Sequence, residues 1–373
     1  MFDPKIPYDI PLLPVDGIES IKVLKKVTPA ARALSALNQV ARLLSNQNLL
    51  VNLIPILESK SSSEIENIVT TTDALFQHDS DATSADAATK EALRYKKALF
   101  RGFGLITGDK ARPLNTLTAI DICSELTGKE MDVRKVSGTD LKNQRTGEVI
   151  YTPPVGENNI RNKLSNWESY IHNHDVDPLI ALAVAHYQFE AIHPFLDGNG
   201  RTGRILNILF LIENDLLAQP ILYLSRYIVQ NKQDYYRLLL KVTQEGDWES
   251  WICFMLDAIT ITSQWTIDKV NAIVELQRQT TEHIKASAKR SYSYELVELL
   301  FEKPYLRTKD LLDRELFKSR QAAISTLKSL EDIGVLESKS VGRETLFINK
   351  RLLDLMSYDE NDFLPFMVRN FNP

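Results

Sequence analysis

Cysteine is nearly absent from this sequence. Cys123 and Cys253 are the only two; they lie far apart, and both stand among apolar neighbours. That excludes a disulfide framework and a cysteine-rich metal site, and fits two buried free thiols in a reducing compartment. Long apolar runs are missing too. The longest, Leu179 to Ala185, falls far short of the ~20 residues that span a bilayer. The N-terminus, Met1-Phe-Asp-Pro-Lys-Ile-Pro, lacks the charged-then-apolar plan of a signal peptide, so a cytoplasmic protein with no membrane partner is expected. Neither sign of charge dominates. A net charge of −5 argues against a surface that coats nucleic acid, although a local basic patch stays open.

What remains is an ordinary globular mixture, 44% hydrophobic and 25% charged, in 373 residues, enough for a sizeable core and more than one domain. Residues 1–17 are proline-rich and read as an extended arm. Helical spacing of apolar residues begins near Thr28-Pro29, with Pro29 suited to a first turn. The apolar stretch Leu49 to Leu57 leads into Ser61-Ser-Ser-Glu-Ile-Glu-Asn67, which reads as the start of a helix over about 61–76. A polar loop over 78–88 precedes helices over 87–103 and 114–126. The one β signal, over 132–152, has Val133 and Lys135-Val136 on one side and Val149-Ile-Tyr151 on the other. It reads as a hairpin that Pro153-Pro154 ends.

From Ile160 to about Lys285 nearly everything looks helical, with starts at Asp177-Pro178 and Asn199 and helices over 230–243, 247–262 and 264–286. After residue 290, three short helices and an alternating segment over 334–348 follow the plan of a winged helix-turn-helix. The expected fold is therefore mainly α, with a helical core, one hairpin and a small C-terminal winged helix. The expected division is an N-terminal helical region (1–94), a core (95–270), a linking helix (271–290), the winged helix (291–352) and a tail (353–373).

The chemistry concentrates in His193-Pro-Phe-Leu-Asp-Gly-Asn-Gly-Arg-Thr-Gly-Arg204. Gly198-x-Gly200-x-x-Gly203 has the dinucleotide-binding spacing, but it follows a helix and not a strand, which argues against a Rossmann unit. Glycines at a helix N-terminus still let unpaired backbone amides approach an anion closely. Arg201 and Arg204, three residues apart, share one face, where an anion relieves their mutual repulsion. Asp197 would repel phosphate unless Mg²⁺ bridges the two, and otherwise serves as a turn or N-cap. Pro194 disfavours helical geometry at His193, and an imidazole there suits a base that deprotonates a hydroxyl. His186, Glu190 and His193 also share a helical face, which keeps a zinc site as a minor alternative that the arginines oppose.

This segment resembles the signature of the Fic family, H-P-F-x-D/E-G-N-G-R-x-x-R, at every fixed position. The resemblance covers roughly residues 95–270 and implies a mainly helical fold that transfers AMP from ATP to a Tyr, Thr or Ser hydroxyl of a target protein, and of itself. It implies His193 as general base and Asp197 as the Mg²⁺ ligand. Gly198, Asn199, Gly200, Arg201, Thr202 and Gly203 would cradle the phosphates, and Arg204 would hold the γ-phosphate. Tyr236 would line the adenine pocket, and the 132–152 hairpin would be the flap that aligns a target. A homodimer is common among relatives. Ser62-Ser-Glu-Ile-Glu66-Asn67 matches the family's inhibitory pattern S/T-x-x-x-E-G/N, which implies that Glu66 pairs with Arg204. The same residues also fit a capping box in which Glu66 only closes a helix start.

Other readings stay open. The same fold can remove AMP or transfer another phosphate-containing group. A transcription regulator could use the winged helix with the core as a nucleotide sensor, although Lys318, Arg320 and Lys328 are offset by Glu331 and Asp332. DNA binding is thus open but less favoured than target selection or assembly.

Overall fold

Residues that can accept a backbone hydrogen bond stand before many of the helices, and they set where the chain turns. In the computed structural model, which describes residues 2–44, 46–136, 139–142, 146–342 and 344–366, Ser20, Thr71, Asp86, Asn115, Asp177, Asp247, Ser293, Ser319 and Asn349 each cap a helix start. Five helices come first: α1 (Ile21–Leu43), α2 (Asn48–Ile65), α3 (Thr72–His78), α4 (Ala87–Thr107) and α5 (Thr116–Thr127). An antiparallel pair, β1 (Leu141–Lys142) and β2 (Val149–Tyr151), follows. Next come α6 (Glu157–His172), α7 (Pro178–Ile192), α8 (Asn199–Glu213), α9 (Leu224–Gln230), α10 (Lys232–Glu245) and α11 (Trp248–Ser287). The chain continues through α12 (Tyr294–Glu302), β3 (Tyr305–Leu306), α13 (Thr308–Asp313), α14 (Arg320–Asp332), β4 (Glu337–Val341), β5 (Glu344–Ile348) and α15 (Lys350–Ser357).

α7 is mostly apolar and buried on nearly every side, so it can be stable only with neighbours all round. α6, α8, α11 and α1 supply them. Trp167 and Trp251 donate their indole N–H groups to the Ala185 and Ala183 carbonyls, at 3.0 and 2.8 Å, and so fix α7 from two sides. α8 is buried almost as fully, against α7, α4, α5 and α2. The α7–α8 connection, which carries the glycine-rich segment, is thus held between the two most enclosed helices.

The last part of the chain forms a three-stranded antiparallel sheet, order β3-β5-β4, with α12, α13 and α14. This helix, strand, two helices and hairpin follow the winged-helix plan. It rests on the N-terminal helices: the Tyr305 hydroxyl donates to Asp73 at 2.7 Å, and Asn46 donates to Glu302 at 2.7 Å.

Several elements differ from the sequence expectations. α1 starts at Ile21, capped by Ser20, and takes Pro29 into its interior. The segment expected as a helix start over 61–76 is the end of α2, and a separate short helix begins only at Thr72. The cause is a polar run that is buried. Glu58 accepts from Tyr95 and from the Ser225 backbone, Ser61 shares a hydrogen with the Tyr223 hydroxyl, and Ser59 bonds back to the Ile56 carbonyl. α11 is one helix of 40 residues, where two were expected to meet near 263. Thr260, Thr262 and Thr266 each donate to the carbonyl four residues back, so these residues do not break the helix. α9 falls in the stretch read as generally helical without bounds of its own, whereas α15 was not anticipated and makes part of the expected tail helical. The hairpin keeps only short strands, and its residues 137–138 and 143–145, like 367–373 of the tail, lie outside the described residues. α4 runs through 94 and α11 through 270, so neither expected boundary falls between elements.

α4 crosses α5 and α8 at Gly102, where an added Cβ would stand 2.5 Å from Leu209 Cδ1 and 2.9 Å from Ile122 Cδ1. Both neighbours are fully buried and have nowhere to go. Gly102→Ala should therefore cost about 1–3 kcal/mol. Gly104→Ala, two residues on and open to solvent, should gain roughly 0.5–1 kcal/mol. Thermal unfolding of the two variants should move Tm in opposite directions.

Candidate active site

α7 ends where Pro194 forbids another helical residue. His193 takes the left-handed conformation there, at φ 51°, and Gly198 does the same at φ 78° just before α8. Six residues thereby turn the chain back on itself. Asn199 braces the turn, accepting from the Phe195 amide and donating to the Phe195 carbonyl, each at 2.8 Å. Its side chain is thus committed to the loop, and only its backbone is offered outward. No side chain caps the start of α8, so its first amides stay open to a ligand.

A cleft of about 430 Å³ opens over this turn, between the β1–β2 pair and α10. It brings together Glu66, Asn67, His193, Gly200 and Tyr236 with Glu190. Of the expected site residues outside that lining, Gly198 and Asn199 form the turn itself and Ser62 lies on α2; the others fall into three groups. Asp197 is on the surface with its side chain 75% exposed, and its Oδ1 accepts from the Gly198 amide at 2.6 Å. Arg201 and Arg204 lie beneath the cleft, with side chains 4% and 1% exposed. Thr202 is fully buried, and Gly203 serves packing, since a Cβ there would stand 2.6 Å from Glu190 Oε1 and 3.3 Å from Phe189.

Arg204 is engaged through two of its three nitrogens. Its Nε donates to Ser62 Oγ at 2.8 Å, and its Nη2 donates to the Ser62 carbonyl and to Glu66 Oε1, each at 2.9 Å. Three acceptors come from the last turn of α2, so the capping-box alternative fails: Ser63 lies inside a helix that ends at Ile65. Asn67 turns the chain away at φ 63° and accepts from Lys232 at 3.0 Å. Burial opposes the charge on Glu66, but Arg204 outweighs it, followed by Arg201, and holds the carboxyl below its ordinary range. The Glu66 carboxylate also lies against Gly200, where a Cβ would be 2.4 Å from Oε1. It therefore sits over the glycine backbone that an anion would approach.

Arg201 has a separate partner, donating to Glu91 of α4 at 2.6 Å. Sequence reading missed Glu91, although a buried guanidinium demands a counter-charge from some element. It also gave Glu190 only to the zinc alternative. Burial pushes that carboxyl up to about 7, against the pull of Arg204. His186, the third member of that alternative, is hydrogen-bonded to the Tyr235 hydroxyl at 2.8 Å. Among the described residues no group of three or more His, Cys, Asp or Glu side chains is placed to hold a metal ion.

Burial is also the first cause acting on His193. Together with the Arg134 cation, it pushes the imidazole down to about 4, against the Glu190 backbone, Glu66 and Asp197. A depressed value leaves the ring neutral, with a lone pair available, at every pH well above 4.

Three stretches of the chain match known family descriptions. Residues 24–104 match the Fic/DOC family N-terminal region, 113–211 the Fic/DOC family, and 276–352 the C-terminal domain of SoFic-like protein adenylyltransferases. The chain belongs to the Fic/DOC family. Proteins named protein adenylyltransferase Fic from Drosophila virilis and Drosophila melanogaster are each 33% identical to it over 95 residues. That stretch is 26% of this chain and 18% of theirs, so the match spans less than a fifth of the length of these relatives. A Fic family protein from Desulfovibrio desulfuricans G20 shares the fold at a TM-score of 0.55 and 18% identity, over 92% of this chain and 97% of its own. Fic-1 from C. elegans (residues 134–508) does so at 0.51 and 18%, over 65% and 71%. The Fic fold is thus present over nearly the whole chain.

The state of the histidine is open to direct measurement. In a ¹³C-histidine NMR titration the His193 ring should stay neutral down to about pH 4. A midpoint near the ordinary 6.5 would contradict the burial argument.

Proposed function

We propose that this Fic family protein transfers AMP from ATP to a Tyr, Thr or Ser hydroxyl of a target protein, and to itself, and that Glu66 restrains it. One observation carries the reading: a neutral imidazole and an uncapped helix start share a single cleft, and a buried arginine pair lies beneath it. His193 Nδ1 is buried, which leaves Nε2 to take the hydroxyl proton as the oxygen attacks the α-phosphorus. The bond to the β-phosphate oxygen breaks and pyrophosphate leaves. The amides of Gly200 and Arg201 at the start of α8 would hold phosphate oxygens, joined by that of Gly198 on release from Asp197; Arg201 would face the β-phosphate, and Tyr236 would border the adenine. Asn199 contributes by holding that loop in shape.

Mg²⁺ fits at Asp197, whose exposed carboxylate is a single protein ligand of the kind this ion combines with phosphate oxygens. Bound there, it would neutralise phosphate charge. The protein's own groups supply proton removal and alignment.

Autoinhibition is supported by the ion pair between Arg204 Nη2 and Glu66. A γ-phosphate and the Glu66 carboxylate are anions seeking one guanidinium, and Glu66 also covers Gly200. The unmodified protein should therefore be slow. For the C-terminal domain we favour target selection or assembly, including a homodimer, over DNA binding. For location we favour the cytoplasm. Among the described residues no helix is long and apolar enough to cross a membrane.

Incubation with Mg·ATP and mass spectrometry of the intact chain should reveal an added AMP. His193→Ala should lower its formation on the order of 10²–10⁴-fold. Bound nucleotide without any adduct would instead favour a nucleotide-sensing regulator. Glu66→Gly should raise auto-modification by labelled ATP several-fold, and a rate equal to wild type would remove the inhibitory role. A salt-dependent DNA gel shift with the full chain would reverse the preference for its C-terminal domain.

A further inference from the structure

Arg134 is among the largest fully enclosed side chains in the molecule, and it lies outside the glycine-rich segment. It stands before β1, on the first limb of the hairpin. No carboxylate pairs with it among the described residues; its Nε and Nη2 go to backbone carbonyls, while the buried Nη1 meets no acceptor. Nε donates to the His193 carbonyl at 2.8 Å, and Nη2 donates to the Ile192 carbonyl at 3.3 Å and to the Pro154 carbonyl. Its own backbone amide donates to the Pro194 carbonyl at 2.8 Å. One residue thus touches the last residue of α7, the histidine, the proline after it, and the segment that leaves the second limb of the hairpin.

We propose that Arg134 is the positioning residue of His193, a clamp that ties the base of the hairpin to the end of α7 and fixes where the imidazole stands. Helix ends expose carbonyls that carry partial negative charge, and a guanidinium fork satisfies several of them at once. Here the fork matters because His193 is in the left-handed region, which a non-glycine residue keeps only when its surroundings impose it. The clamp also couples two parts that must agree for a transfer. The hairpin would present the target, and α7 presents the base. A misplacement of about 1 Å between such groups can cost on the order of 100-fold in rate. The same cation disfavours a second positive charge on the ring. The charged groups acting on it are Arg134 from the hairpin, Glu66 from the end of α2 and Asp197 from the α7–α8 turn, and only the first opposes protonation.

The role assigned to Arg134 rests on His193 being the base, and its test separates the two claims. In the full chain, Arg134→Met removes the charge and the fork at similar length, whereas Arg134→Lys keeps the charge. With Glu66→Gly as the parent, both variants should lower kcat about 10- to 100-fold and leave KM for ATP within about threefold. In the ¹³C-histidine titration, the His193 midpoint should rise by about one pH unit in Arg134→Met and stay near the parent value in Arg134→Lys. A midpoint that does not move in Arg134→Met, or a kcat equal to the parent in Arg134→Lys, would overturn the assignment. If circular dichroism shows Arg134→Met to be unfolded, the Lys variant alone decides by its kcat. If the parent transfers no AMP, the functional reading fails, while the titration still reports on the clamp.

Discussion

A guanidinium that is buried cannot shed its charge, so the chain around Arg204 has to supply acceptors. This requirement organises much of the structure. The last turn of α2 provides three acceptors, and its backbone must therefore arrive in the correct rotation as well as at the correct depth. That explains why α2 carries Glu58, Ser59, Ser61 and Ser62 on enclosed faces that would ordinarily be apolar. Each is matched by a partner, including Tyr95, Ser225 and Tyr223. Ser63, at the end of the same run, is the exception, its buried hydroxyl meeting no partner.

The same arginine explains the division of labour among the glycines. Gly200 admits the Glu66 carboxylate, Gly203 admits the Glu190 carboxyl and the ring of Phe189, and Gly198 supplies the backbone turn. Three glycines within six residues therefore answer three separate demands. Arg201, one position after Gly200, is tied to Glu91 and so belongs to α4 as much as to the cleft. The glycine-rich turn is less a flexible cradle than a junction held by α2, α4 and α7.

Much of this was legible in the sequence. Asp177-Pro178, Pro194 and Asn199 mark the helix ends around the site because their backbone chemistry is local. His193, Gly200, Glu66, Asn67 and Tyr236 meet in one cleft as their motifs implied, although they are far apart in the chain. What was not legible depends on burial. Ser61 to Ser63 look like a helix start because serines usually stand at exposed caps, and nothing local says that Arg204 will reach Ser62. The gap expected at 263 follows Thr262, whose hydroxyl could have bonded elsewhere. Arg134 and Glu91 carry no motif at all: the first is revealed only by the carbonyls it meets, the second only by the arginine it balances.

The unbroken run of α11 has a geometric consequence. At about 1.5 Å per residue its 40 residues make a rod of roughly 60 Å, which leaves the core beside α7 and reaches the C-terminal domain. That domain is also fastened to the first third of the chain, through α12 on α2, Tyr305 on Asp73 and Arg307 on Ser80. Rod and fasteners close a ring. Each residue added to the rod would turn everything beyond it by about 100° and advance it by one step of the screw. The ring tolerates exchanges on the rod's outer face far better than it tolerates a change in its length, so the phase of this helix is as much a part of the fold as its sequence.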